Sequence, residues 1–137
     1  MYGIRYSVNS NFMEYVKSFR DLEVYKLSRQ LSGEIFEVTK KFPKEEMYSL
    51  TDRIRRSSRS VGAQIAEAWA KRKYEKHFIS KLTDADGEQL ETQHRIETAL
   101  DCNYLSKETS IDFLNKYSSV GKMLCSMMSK AESFCNR

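Results

Sequence analysis

Glu91 and His94 have the spacing of a metal-binding motif that occurs in helical bundles. In di-iron bundles, two helices each supply a Glu-x-x-His pair and two other helices each supply a Glu. The second histidine, His77, is preceded at that spacing by Tyr74, so the sequence contains only half of the motif. We therefore predict no metal site and interpret His94 as a polar contact in or beside the core.

The sequence also contains three candidate thiol nucleophiles, Cys102, Cys125 and Cys135. A catalytic Cys or Ser requires a neighbouring His that a third group orients, and no glycine-rich phosphate loop or nucleophile elbow accompanies them. An odd number of cysteines without CxxC spacing argues against disulfides and structural zinc. We predict a non-enzymatic protein without cofactor or small-molecule substrate, whose reduced cysteines, like its C-terminal methionines, fill the core.

Basic residues are concentrated between positions 50 and 76, which hold eight Arg and Lys against three Asp and Glu. A guanidinium group presents a planar fork of donors that suits phosphate oxygens. Such contacts fix the position of a nucleic-acid backbone without reading its sequence. We predict a nucleic-acid-binding surface on the second helix and its end, made of Arg55, Arg56, Arg59, Lys71, Arg72, Lys73 and Lys76.

The next segment has the opposite charge, since residues 83–101 hold six acidic residues against one arginine. Neighbouring helices, or a second subunit, would pair these charges equally well, and this alternative needs no nucleic acid. At 100° per residue, Ala63, Ala66 and Ala70 continue the arginine face of the second helix. Because a solitary surface helix would carry long charged residues there, we predict that this alanine strip is an oligomer interface.

Composition and periodicity predict an all-α protein. The 137 residues are 40% hydrophobic and 31% charged, which is typical of a folded, water-soluble chain. One proline and five glycines are too few for the turns of an all-β fold. No apolar run is long enough to span a membrane and the N-terminus lacks a signal peptide's apolar region, so we expect a cytoplasmic protein.

Four amphipathic segments with short connections predict an antiparallel up-down four-helix bundle over residues 19–137, after an N-terminal extension over residues 1–18. Helix one should end near Phe42 because Pro43 follows it. A capping box at Ser49–Asp52 should start helix two. The connection between helices three and four is so short that they must be antiparallel. The core positions predicted for helix three are Phe78, Leu82, Leu90, Ile96 and Leu100.

Several short motifs resemble, in their order, the bacterial four-helix-bundle proteins that are often encoded within intervening sequences of 23S ribosomal RNA genes. The likeness covers about Phe19 to Glu132. The motifs are Phe19-Arg-Asp-Leu22, Phe42-Pro-Lys-Glu-Glu46, Leu50 followed by Arg55-Arg56, Ser60 to Glu67, and Leu90-Glu-Thr-Gln93. The chain departs from the usual pattern at Gly62, Gln64 and Ala68, which stand where the family has proline, asparagine and glycine.

This resemblance implies a homopentameric ring, since relatives in the family assemble as pentamers. One branch is similar to accessory proteins of diversity-generating retroelements, which bind a reverse transcriptase and nucleic acid. The expected partners are therefore further copies of the chain, RNA or DNA, and a reverse transcriptase. Two hypotheses stay open: a ring that binds nucleic acid, and an oligomeric adaptor for a protein partner in which the arginines serve assembly.

Overall fold

A computed structural model describes residues 16–135. These residues form a four-helix bundle. The helices are α1 (Glu23–Thr39), α2 (Leu50–Ala70), α3 (Glu75–Asp101), α4 (Lys107–Ser129) and the one-turn α5 (Ala131–Phe134). Each long helix packs on the next, and α1 also packs on α4, which closes the bundle. No strand occurs in these residues, so the predicted all-α, antiparallel up-down fold is confirmed.

The stripe of α1 faces the core as its spacing predicts. Val24, Leu31 and Ile35 are fully buried, while Leu27 and Val38 are half-buried against the core. Burial stabilises the fold by about 1.5–3 kcal/mol for each large aliphatic side chain that becomes fully buried. The helix ends at Thr39, three residues before the predicted end, because residues 40–42 leave the helical ladder in a turn ahead of the proline.

The predicted core of α3 is wrong at two positions. Leu90 is 53% exposed and Leu100 is only half-buried. The inward face is instead made of large apolar residues interleaved with small or polar ones: Phe78, Leu82, Ala85, Gln89, Thr92, Ile96 and Ala99. Hydrophobicity alone failed because small and hydrogen-bonded polar residues also occupy core positions when their polar atoms have partners.

Hydroxyl groups join α2 to α3 inside the bundle. The Ser57 Oγ and Thr92 Oγ1 atoms are 2.8 Å apart, and both residues are fully buried. When Thr92 Oγ1 donates to the backbone carbonyl of Glu88, which is 2.9 Å away, it accepts the hydrogen bond from Ser57. Small side chains at this contact let the two helices approach closely.

Two glycines of the bundle differ in how closely they pack, Gly87 of α3 and Gly121 of α4. A Cβ atom built at Gly87 meets nothing within 4 Å. The glycine that packs tightly is Gly121 of α4, where a Cβ atom would lie 2.8 Å from Nε2 of the buried Gln89. A side chain at position 121 would therefore displace Gln89, which donates from Nε2 to Asp86.

Two connections lie at the same end of the bundle and contact each other. In the first, a 3₁₀ turn at Lys44–Glu46 leads from α1 to α2. In the second, Asn103 adopts a left-handed conformation (φ 62°) that ends α3. Between them, the Tyr104 hydroxyl donates to Glu46 Oε2 at 2.9 Å, and the rings of Tyr104 and Phe42 lie 5.3 Å apart. The α3–α4 connection thus anchors the α1–α2 connection.

The helix caps match the predictions in part. Ser106 accepts from the Thr109 backbone N–H at 3.1 Å and caps α4. Ser49 stands at the N-cap of α2, but its side chain makes no capping hydrogen bond. The Glu46 carboxylate accepts from the Leu50 N–H at 3.3 Å. An unpredicted capping box at Ser18 and Asp21 precedes α1.

The predicted N-terminal extension, residues 1–18, lies outside the described residues except for its last three positions. Of these, Val16 is buried with the core of the bundle. Within residues 16–135, no helix is long and apolar enough to cross a membrane.

Candidate nucleic-acid interface

The side chains of Arg55, Arg56 and Arg59 line one open groove on the outer face of α2. The helix places them there because its buried stripe, which includes Ile54 and Val61, occupies the opposite face. The groove is completed by residues from the α1–α2 connection and by further residues of α2: Met47, Tyr48, Asp52, Ser60 and Ala63.

Arg55 is held against α1. Its Nε atom donates to Thr39 Oγ1 at 2.8 Å, and its guanidinium carbon lies 4.6 Å from the centre of the Phe36 ring. Thr39 in turn donates to the carbonyl of Ile35 at 2.8 Å. Arg55 is therefore half-buried and oriented, with its terminal nitrogens left for other acceptors.

Arg56 and Arg59 are exposed. Arg59 lies over the same Phe36 ring at 5.4 Å, and neither arginine forms a salt bridge with a carboxylate in the described residues. Arg56 is close enough to Glu88 of α3 to act on it electrostatically, although burial and the neighbouring Glu91 raise the pKa of Glu88 more strongly than Arg56 lowers it. Two guanidinium groups in the groove thus remain without a carboxylate partner.

The other four predicted basic residues lie in a separate cluster at the turn between α2 and α3. Lys71, Lys73 and Lys76 are exposed. Arg72 is stacked on Trp69 with its guanidinium 3.6 Å from the ring centre, and its Nε donates to the Trp69 carbonyl at 2.8 Å. Burial lowers the pKa of Arg72 from its ordinary value. These residues thus lie further along the chain than the arginine groove, as the sequence indicates.

The alanine strip separates the two basic clusters. Ala63 and Ala70 are exposed and Ala66 is half-buried, over a stretch of α2 in which Arg59 and Lys71 are about 18 Å apart along the helix axis. A second shallow groove flanks the strip, lined on the α1 side by Phe19 and Tyr25. The strip is therefore an uncovered surface of small side chains in the single chain.

An acidic groove that the sequence did not predict lies between α1 and α4. Four carboxylates line it: Glu34, Glu37, Glu108 and Asp112. Lys116 partly compensates them, with Nζ at 2.9 Å from an Asp112 carboxylate oxygen and 4.0 Å from one of Glu34. The signal was present as acidic residues at helical spacing on both helices, but it was hidden because the segment 83–101 carries a denser run of acidic residues.

Candidate catalytic and metal-binding groups are dispersed. His94 is exposed, which corrects its predicted place in or beside the core, and Glu91 pairs with Arg95 at 3.7 Å. Cys102 and Cys125 are exposed, so the prediction that they fill the core is wrong. Within residues 16–135, no group of three or more His, Cys, Asp or Glu side chains is placed to hold a metal ion.

Tyr48 is the groove residue that sequence reasoning overlooked. Its side chain is 92% exposed, and the adjacent Met47 is 44% exposed. Both stand immediately before α2, in the connection that Tyr104 anchors through Glu46. A large aromatic residue beside the predicted N-cap was the available signal, but its exposure depends on the path of the connection.

Comparisons with known proteins agree with the helical architecture. The chain is similar to a solved structure described as a protein with unknown function from the S23 ribosomal protein family of Bacteroides thetaiotaomicron. The identity is 27%, the TM-score is 0.70, and the match covers 77% of this chain and 95% of that chain. A search of curated proteins gives no match.

The family model for the 23S rRNA-intervening sequence protein matches residues 20–126. This span includes α1, α2 and α3 and most of α4. The resemblance seen in the short motifs is thereby confirmed. Since the match extends over more than half of the sequence, the chain belongs to the 23S rRNA-intervening sequence protein family.

Proposed function

We propose that this protein binds the backbone of RNA or DNA through the arginine groove of α2, as a non-enzymatic homo-oligomer of the cytoplasm, with five subunits in a ring. The observation that carries the proposal is the convergence of Arg55, Arg56 and Arg59 on one open groove. The family's name, which refers to ribosomal RNA intervening sequences, supports a nucleic-acid partner.

The positive charge of the arginine groove is largely uncompensated by carboxylates of the described residues. Phosphate contacts supply most of the sequence-independent affinity for nucleic acid through release of counterions. Because Arg56 and Arg59 form no salt bridge in the described residues, a phosphate would not have to displace a carboxylate from them. Arg55 is already oriented by Thr39, so less side-chain entropy is lost when it binds.

The alanine strip supports the oligomeric part of the proposal. Exposed small side chains on a helix permit close approach of another helix, and Ala63 and Ala70 are both exposed in the single chain. A ring would repeat the arginine groove in every subunit and so multiply the affinity for one long nucleic acid. The lysines of the α2–α3 turn would extend the positively charged surface.

The test is fluorescence anisotropy with labelled RNA and DNA over a series of salt concentrations. For duplex DNA, the three arginines of one subunit should contribute about −3 to the slope of log affinity against log salt. The combined change Arg55→Glu, Arg56→Glu and Arg59→Glu should abolish binding. A wild-type protein that fails to bind at low salt, or a triple variant that binds normally, contradicts the proposal.

A matched control changes the same number of charges elsewhere. Lys26, Lys107 and Lys122 are exposed on α1 and α4, outside the groove. Their combined replacement by Glu alters the net charge by the same amount and should weaken binding far less. Equal losses in the two triple variants would show that net charge, rather than the groove, governs binding.

The second candidate function is an oligomeric adaptor that binds a protein, such as a reverse transcriptase, with the arginines serving subunit assembly. The acidic groove between α1 and α4 favours it, because four carboxylates in one subunit are complementary to three arginines in another. In that case the triple arginine-to-glutamate variant should dissociate the oligomer. Light scattering distinguishes the functions, since the nucleic-acid proposal leaves the subunit number unchanged.

A further inference from the structure

We infer that the groove of α2 selects single-stranded nucleic acid, with an unstacked base lying on the ring of Tyr48. This inference rests on the proposed function, because it assigns a substrate class to the same groove. It adds a base contact to the phosphate contacts of the arginines.

The side chain of Tyr48 is placed for stacking. It is 92% exposed, and within residues 16–135 it makes no ring contact of the kind that pairs Tyr74 with His77. Yet it lines the same groove as the three arginines. An exposed aromatic ring beside a positively charged groove is the combination by which proteins bind single strands, since every base has a face that can stack.

The two ends of the groove differ in the sign of their charge. Asp52 lies in the first turn of α2, nearest Tyr48 in sequence, and its carboxylate repels phosphates from that end. Arg59 is seven residues further along, or about 10 Å along the helix axis. The backbone of a bound strand is therefore drawn toward the arginines, while a base is left over the tyrosine.

A duplex does not satisfy this arrangement. Its base faces are covered by neighbouring base pairs, and only its phosphates are available to the groove. The arginines bind both forms, whereas the ring of Tyr48 contributes only to a strand whose bases are free. Single-stranded and duplex probes should consequently differ in how they respond to loss of the ring.

The connection that carries Tyr48 is fastened to the bundle. Glu46, two residues earlier, accepts a hydrogen bond from the Tyr104 hydroxyl at 2.9 Å and another from the Leu50 N–H at 3.3 Å. A ring on an anchored segment loses less conformational freedom on binding than one on a free loop. The exposed side chain thus stands on a backbone that is fixed from both sides.

The experiment measures anisotropy of labelled oligoadenylate and of a blunt duplex of equal length, using the full chain. Tyr48→Ala should weaken single-strand binding roughly 5- to 150-fold and leave duplex binding unchanged. Tyr48→Phe keeps the ring and should restore single-strand binding. Ile111→Ala, which truncates another exposed apolar side chain outside the groove, should change neither.

The outcomes separate this inference from the proposed function. If the wild type binds both probes and Tyr48→Ala weakens both equally or neither, the stacking role is wrong while phosphate binding by the arginines stands. Failure of Tyr48→Phe to bind better than Tyr48→Ala also overturns it. If the wild type binds no nucleic acid, both proposals fail. Because Tyr48 is so exposed, the fold of each variant should match the wild type by circular dichroism.

Discussion

The two basic clusters on α2 and its C-terminal turn differ in how the protein holds their charges. In the arginine groove, Phe36 lies beneath Arg55 and Arg59, and Thr39 accepts a hydrogen bond from Arg55. At the turn, Arg72 is stacked on Trp69 and the Lys73 ammonium lies 5.9 Å from the centre of the Tyr74 ring, while Lys71 and Lys76 are exposed. The first cluster is a preorganised site and the second is a diffuse positive charge.

The number of basic residues in a cluster is therefore a poor guide to the contribution of that cluster to nucleic-acid affinity. Arginine forks fixed on a helix can form paired hydrogen bonds to phosphate, whereas a flexible ammonium group acts as a point charge. We therefore expect the groove to determine affinity through geometry and the turn to contribute mainly through salt-dependent attraction. Four predictions follow this contrast from the largest expected effect to the smallest.

Replacement of all three groove arginines by lysine should lower nucleic-acid affinity roughly a hundredfold, since each lost fork is worth on the order of 1 kcal/mol. The charge is retained, so the salt slope should stay near its wild-type value. Anisotropy over several salt concentrations measures both quantities. Unchanged affinity in this variant would mean that the groove also acts only as a positive charge.

Replacement of Lys71, Lys73 and Lys76 by glutamine should reduce affinity roughly tenfold and make the salt slope shallower, by at most about 2.7 on duplex DNA. These side chains are exposed, whereas Arg55 in the groove is half-buried and hydrogen-bonded to Thr39. The same titration provides the measurement. A larger loss than in the arginine-to-lysine variant would reverse the ranking of the two clusters.

Phe36→Leu should reduce affinity about threefold and the free energy of unfolding by about 0.5–1 kcal/mol, because it removes the aromatic face beneath the guanidinium groups and keeps the apolar bulk. Phe19→Leu is the matched control, since Arg20 lies 4.5 Å over the Phe19 ring outside the arginine groove. It should cost similar stability, by chemical denaturation, without affecting binding. If both variants bind equally well, Phe36 does not preorganise the groove.

Tyr104 should make the anchored end of the bundle sensitive to alkaline pH. The hydrogen bond to Glu46, followed by burial, raises the pKa of Tyr104 to about 12, from an ordinary value of 10.0. Because the folded state favours the protonated hydroxyl, its contribution is complete below pH 10 and is lost as pH rises toward 12. Denaturation curves should show a larger loss between pH 10 and 12 in the wild type than in Tyr104→Phe, in which Tyr117 still contributes because burial raises its pKa as well. Identical pH profiles would contradict the assignment.

The sequence predicted the fold well because large apolar residues mark most of the core. The stripes of α1, α2 and α4 are inward as their spacing indicates. Prediction failed on α3, where Gln89 and Thr92 face inward and Leu90 faces outward. A polar residue is recognisable as a core residue only when its partner is known, and the partners of Thr92 lie on two different helices.

The candidate site was predictable only in part. Helical periodicity was sufficient to group Arg55, Arg56 and Arg59, because one helix carries them all. Periodicity within α2 does not determine the course of its C-terminal turn, so the stacking of Arg72 on Trp69 could not be predicted. Likewise, the position of Tyr48 depends on a connection that Tyr104 holds from a distant part of the chain.

The hydrogen bond between the hydroxyls of Ser57 and Thr92 helps to fix the rotation of α2 about its own axis. Turning the helix by one residue would carry Ser57 away from Thr92 and break their hydrogen bond, at a cost of about 0.5–1.5 kcal/mol, while each hydroxyl keeps a carbonyl acceptor on its own helix. The same turn would swing the arginines 100° around the axis. A contact in the interior, which no ligand reaches, therefore contributes to the direction in which the arginines face. Substitutions at this contact can change the position of the positive charge on the surface without altering a surface residue.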